Sequence, residues 1–220
     1  RILFLLWGLL VFYQVGAQNR KIAFEKTTLR EALNKASSER KLTFVDCYTE
    51  YCGPCKTMDA LVFTLDSVAD FFNSTFVNVK LDMLSEDGKQ YADTYKIGAY
   101  PSFLLLDHEG KIVYKFVGGK TADVFMAEIR KGMRPDNRVA RMNETYASGK
   151  YSNDFLREYV QLKLQLLERK ECLRLGKEYF DRLTPRERVK AENWFLFEDR
   201  VLGGVNSANM RYLLEHWQEF

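Results

Sequence analysis

The run FVDCYTEYCGPCKTM, from Phe44 to Met58, constrains this chain more than any other stretch. Its first part is rich in β-branched and aromatic residues and reads as a strand. The strand ends at a turn holding Cys52, Gly53, Pro54 and Cys55, and a helix-compatible stretch follows at once. Strand, tight turn and helix must therefore meet at a pair of cysteines. Asp46 sits inside the strand, where an acid is disfavoured unless a local function requires it.

The surrounding pattern extends this alternation. TTLREALNKASSERK places Leu29, Ala32, Leu33 and Ala36 at helical spacing, with Thr27 or Thr28 as cap. KLTFVDCYT is a strand, CKTMDALVF and DSVADFFNS are helices, and TFVNVKLDM is a strand. SEDGKQYADTYK is a helix capped by Ser85. SFLLLD and KIVYKFVG are strands joined by a turn at Gly110, and TADVFMAEIRKGM is a helix capped by Thr121. The order α-β-α-α-β-α-β-β-α implies an α/β fold, a mixed sheet with flanking helices and an antiparallel closing hairpin. About 115 residues suffice for such a complete domain.

Beyond Pro135 and Asp136 no strand pattern remains. RVARMNETYASGK, SNDFLREYVQLKLQLLERK, ECLRLGKEYFDRL, TPRERVKAENWFLFEDRV and SANMRYLLEHWQEF all read as helices. Thr184, Pro185 and Glu187 combine a capping box with a proline at the first helical position. Asn206 or Ser207 caps the last helix. The expected division is a leader at residues 1–17, an α/β domain at 18–134 that folds alone, and an all-helical region at 135–220.

RILFLLWGLLVFYQVGAQ supplies the leader: a basic start, an apolar middle and the small residues Gly16 and Ala17 before a cleavage point. Its apolar core is about a dozen residues against the roughly 20 of a membrane span. Cleavage after Ala17, with a periplasmic or secreted product, is the expectation; a retained anchor is the alternative. The sequence opens without Met and ends inside a helical pattern, as a fragment of a longer product does. A net charge of +3 with mixed signs leaves no polyanion-binding surface, so no nucleic-acid partner is expected. The 46% hydrophobic content supports an ordinary core without staples.

Paired cysteines at this spacing bind metal, staple a fold or exchange electrons. A structural metal wants four ligands, and the chain offers two histidines, His108 and His216, far apart, so no metal site is expected. A disulfide across Cys52 and Cys55 closes too short a loop to remove much chain entropy. The redox reading has a physical basis: a cysteine at a helix N-terminus meets unpaired N–H groups and the positive dipole end, which favour thiolate. Gly53 permits the turn, and Pro54 has no N–H to lose there. Cys47 points opposite to Asp46 by strand alternation. It reads as a buried apolar residue, with a third redox thiol as the alternative.

VDCYTEYCGPCK resembles the thioredoxin signature. Downstream, VNVKLDM is similar to the third strand of that family, IGAYPSFLLLD to its cis-proline loop, and KFVGGKT to the glycine turn before its last helix. The resemblance spans residues 22 to 132. It implies Cys52 as nucleophile, Cys55 as the resolving thiol, Asp46 as a buried proton acceptor behind Cys55, and Lys80 as the lysine that tunes it. It implies a substrate surface of Tyr51, Gly53, Pro54, Tyr100, Pro101 and Gly118, with a cis bond before Pro101. No cofactor beyond the Cys52–Cys55 redox disulfide is expected. The departures are Tyr48 and Tyr51 where tryptophan is usual, Cys47 in place of phenylalanine, a bulky Tyr100, and a long LVFTLDSVADFFNS segment like that of exported bacterial relatives.

The reading is an exported thiol–disulfide oxidoreductase that reduces or isomerises protein disulfides, since Gly-Pro between the cysteines resembles reductants more than strong oxidants. Its expected partners are disulfide-bearing proteins and a membrane or periplasmic electron donor. The rival reading is a binding module in which the helical region serves as a protein-interaction scaffold.

Overall fold

The computed structural model describes residues 20–198, 201 and 204–219, so the leader lies outside the described residues. Among the described residues no helix is long and apolar enough to cross a membrane.

Strand β1 (Leu42–Tyr48) is central and buried along nearly its whole length. It pairs in parallel with β2 (Phe76–Asp82) and antiparallel with β3 (Ser102–Leu106), which pairs antiparallel with β4 (Ile112–Val117). The order is β2-β1-β3-β4, the mixed sheet with a hairpin edge that the pattern implies. A strand covered on both faces has no solvent side, hence the near-continuous apolar run.

The period of two sorts β1 into two cores. Val45 and Cys47 join Leu104 and the buried Leu29, Ala32 and Ala36 of α1 (Leu29–Glu39). Phe44 faces the other way, with Phe103, Met58 of α2 (Gly53–Leu61), Phe72 of α3 (Asp66–Thr75) and Phe125 of α5 (Ala122–Gly132). Asp46 shares the Phe44 face. The caps behave largely as expected. Thr28 completes a capping box on α1, and Ser85 caps α4 (Glu86–Ala92). Thr121 precedes α5, but its side chain makes no capping hydrogen bond.

The helical region follows as α6 (Arg138–Ala147), α7 (Asn153–Gln165), α8 (Arg169–Arg182), the single turn α9 (Pro185–Arg188), a 3₁₀ stretch (Ala191–Phe197) and α10 (Ala208–His216). Its buried Val139, Leu162 and Leu166 belong to the same apolar cluster as Tyr114 and Phe116 of β4.

Three helices expected from the pattern are cut short. The 184–201 stretch keeps its capping box at Thr184 but stops after one turn. Asn193 is buried there; its amide donates to the Glu187 carbonyl (2.8 Å) and its oxygen accepts from Tyr179 (2.9 Å). That pairing draws the chain out of α-helical register, and four consecutive bulky residues, Trp194 to Phe197, cannot share one helix face. Helix α7 ends at Gln165 because Leu167 takes a left-handed conformation (φ +54°), and α4 ends at Ala92 ahead of Lys96 (φ +52°).

Candidate active site

Cys52 is the N-cap of α2, and Cys52 and Cys55 are joined in a disulfide with Cα atoms 5.3 Å apart. The Cys55 backbone N–H donates to Cys52 Sγ (3.1 Å), and Pro54 lies in the first helical turn. Cys55 is buried, whereas Cys52 is half-buried beside Tyr51, which is 80% exposed. Cys52 is thus the more accessible of the two, at the positive end of a helix, while Cys55 is shielded.

Gly53 does not hold the turn. It lacks a positive φ, and a Cβ there would meet nothing within 4 Å. What glycine leaves at this position is open space next to Cys52. Gly118 does need its freedom: its φ is +87°, and its N–H donates to the Pro101 carbonyl (2.8 Å). Neighbouring Gly119 abuts Pro54, since a Cβ there would lie 3.4 Å from the Pro54 Cβ. The Tyr100–Pro101 bond is cis, with Pro101 buried and Tyr100 38% exposed. An apolar groove of about 580 Å³ opens beside Pro54, lined by Met58, Leu61, Val62, Gly119 and Ala122.

Asp46 is buried, opposite Lys80 across the β1–β2 ladder. Lys80 Nζ lies 3.4 Å from Asp46 Oδ2 and donates to both Asp59 oxygens at 2.5 and 2.7 Å. Asp59 stands one turn after Cys55 in α2, so Lys80 ties the buried carboxyl to the helix that bears the cysteines. Among the described residues, Asp46 Oδ1 has no protein hydrogen-bond partner. Burial raises the Asp46 pKa to about 7; Lys80 opposes the shift and Asp59 adds to it. Burial works against the charge on Lys80, but Asp46 and Asp59 outweigh it and hold the ammonium above its ordinary value. Its Nζ also sits 4.6 Å from the centre of the Tyr48 ring.

The structure brings Asp46 and Lys80 together on the face that α2 covers. Tyr51, Gly53, Pro54 and the sulfurs gather at its rim, and Gly118 is hydrogen-bonded to Pro101, which follows Tyr100 across the cis bond. Asp59 was not legible as part of this group; its only signal is its place four residues after Cys55, one helical turn on. Cys47 lies in the opposite core, fully buried, with burial pushing its thiol pKa far up. Among the described residues no cluster of His, Cys, Asp and Glu could hold a metal ion.

Residues 21–131 match the family model described as Thioredoxin. Thioredoxin H1 of Arabidopsis thaliana is 37% identical over 93 residues, 42% of this chain and 75% of that protein. Thioredoxin H-type 2 of Nicotiana tabacum is 37% identical over 90 residues, 41% of this chain and 70% of that protein. A Bacteroides thetaiotaomicron protein, provisionally called a disulphide-isomerase in its solution structure, superposes with a TM-score of 0.51 at 40% identity, covering 55% of this chain and 99% of that one. With a Cys-Gly-Pro-Cys disulfide at the head of α2 and the matched residues spanning the whole mixed sheet, this chain belongs to the thioredoxin family of thiol–disulfide oxidoreductases.

Proposed function

We propose that the chain is an exported reductant or isomerase of protein disulfides. The observation that carries this reading is the division of labour at α2: a half-buried cysteine at the helix N-terminus, and a fully shielded one on the helix that Lys80 links to a buried carboxyl. In the reduced protein, the Cys52 thiolate attacks one sulfur of a substrate disulfide. A Cys52–substrate bond forms, the substrate S–S bond breaks, and one substrate thiolate leaves and takes up a proton. Cys55 then gives its proton to Asp46, directly or through water, and attacks Cys52 Sγ. The intramolecular disulfide forms and the second substrate thiol leaves. Two electrons pass to the substrate, and a low-potential dithiol donor must return them with two protons.

Lys80 sets how readily Asp46 accepts the proton. Tyr51, Pro54, Tyr100, Pro101 and Gly118 form the docking rim, where an extended segment pairs with the backbone next to Pro101. Residues 18–134 carry the cysteines and their proton acceptor, and the helical region packs against β4 and supplies protein contacts. Export rests on the sequence of residues 1–17 and predicts a mature chain beginning at Gln18.

Equilibration in defined thiol–disulfide buffers tests the direction of electron flow. The Cys52–Cys55 potential should fall between the roughly −270 mV of a reductant and the roughly −180 mV of an isomerase; a value near the roughly −120 mV of a strong oxidant would reverse the assignment.

A further inference from the structure

The loop from Asp93 to Pro101 is held by the helical region rather than by the thioredoxin half alone. Lys115 of β4 is fully buried, and its three donors are all committed. They reach the Tyr95 carbonyl (3.1 Å), the Lys96 carbonyl (2.7 Å) and Glu168 Oε1 (2.9 Å). Glu168 sits at the α7–α8 turn, where its second oxygen lies 3.1 Å from the buried Lys163, which also donates to Asn143 (3.1 Å). Two residues beyond Lys96, Gly98 packs against the same turn so closely that a Cβ would lie 2.0 Å from the Leu167 carbonyl oxygen. Lys96 adds an ion pair to Glu171 of α8 (3.0 Å). The backbone is therefore pinned at Tyr95, Lys96 and Gly98, immediately before Tyr100 and Pro101.

We propose that the α7–α8 turn is a positioning element for the redox site, with Lys115, Glu168 and Gly98 as positioning residues that hold the Tyr100–Pro101 segment in place to receive protein substrates. The inference rests on the reading of that segment as a substrate contact. A buried charged cluster is a poor source of stability, because desolvation consumes most of its attraction. Its geometric effect is specific, because two loop carbonyls are fixed relative to β4. Substrate docking is sensitive to such placement, since shifts of about 1 Å can change rates by about 100-fold.

The test uses the full chain and two substrates: insulin, turned over with dithiothreitol as electron donor, which must engage the loop, and dithiobis(nitrobenzoate), mixed in stopped flow with reduced protein freed of dithiothreitol, which is too small to do so. Gly98→Ala wedges the loop off the turn. Gly149→Ala is the control for a strained glycine substitution in the helical region away from the turn: Gly149 has a positive φ (+69°), unlike Gly98, and a Cβ there meets nothing. Lys115→Met/Lys163→Met/Glu168→Leu replaces the buried charges by apolar groups of similar length, keeping a folded comparison if Gly98→Ala does not fold.

Gly98→Ala and the triple variant should raise KM for insulin at least about tenfold while leaving kcat, and the rate with dithiobis(nitrobenzoate), within about twofold, and Gly149→Ala should do neither. Equal losses on both substrates, or an unchanged KM for insulin, would overturn the positioning role. Pro101→Ala, which alters the backbone that the substrate segment pairs with, separates the two layers. An unchanged KM in Pro101→Ala sinks the substrate-contact reading and this inference together. A raised KM there with none in Gly98→Ala or the triple variant sinks this inference alone.

Discussion

Asp46→Asn makes the oxidised protein more stable at pH 8 and slower as a reductase. In the unfolded chain Asp46 ionises near pH 4, and in the fold it holds its proton to about pH 7. Between these values the unfolded state has released a proton that the folded state keeps, so this group erodes stability as pH rises through the window, and the loss levels off above it. The cost reaches on the order of 2–4 kcal/mol at pH 8, at about 1.4 kcal/mol for each pH unit that separates the two ionisations. Asparagine carries no such cost. Denaturant midpoints should therefore diverge from wild type above about pH 4 and coincide below it. The same change removes the proton acceptor for Cys55, so the resolving step should slow by about 10- to 100-fold, the lower range for loss of a general base. Stopped-flow reduction of insulin reads the rate. Unchanged melts together with an unchanged rate would make Asp46 a bystander.

The second large effect separates the two sulfurs. Cys52→Ser should bring insulin reduction to background, a loss of at least about 1,000-fold, because no other thiol combines exposure with a helix N-terminus. Cys47 offers no rescue: it is fully buried in the core on the opposite side of the sheet. Cys55→Ser should also abolish turnover, but for a different reason. The first exchange still occurs, and the complex then waits for a resolving thiol that is absent. Residual turnover in Cys52→Ser above a few per cent would point to another nucleophile.

The half of the fold that places the site was legible because its signals are local. β1 is written in β-branched and aromatic residues, the Cys-Gly-Pro-Cys turn opens a helix, and Asp46 breaks the apolar run where a reason is needed. Strand alternation put Cys47 on the face opposite Asp46, where the structure has it. What stayed hidden depends on distant partners. Asp59 looks like any polar residue on an exposed helix face until Lys80 reaches it from β2. Lys115 in KIVYKFVG carries no sign of its partner in the local sequence, yet the α7–α8 turn covers it and Glu168 neutralises it. Gly98 reads as an ordinary loop glycine, and its meaning comes from a carbonyl 69 positions later in the chain, that of Leu167. The same holds for the 184–201 stretch, where a strong helix start is overruled by the buried pairing of Asn193 with Tyr179 and the Glu187 carbonyl.

The central claim is that Cys52 takes the substrate and Cys55 releases it. It is tested most directly by incubating reduced Cys55→Ser with insulin and mapping the trapped disulfide by mass spectrometry. The account predicts an insulin chain joined to Cys52, absent from Cys52→Ser treated in the same way. An adduct at Cys47 or Cys172, or no stable adduct with Cys52 left as a free thiol, would contradict it.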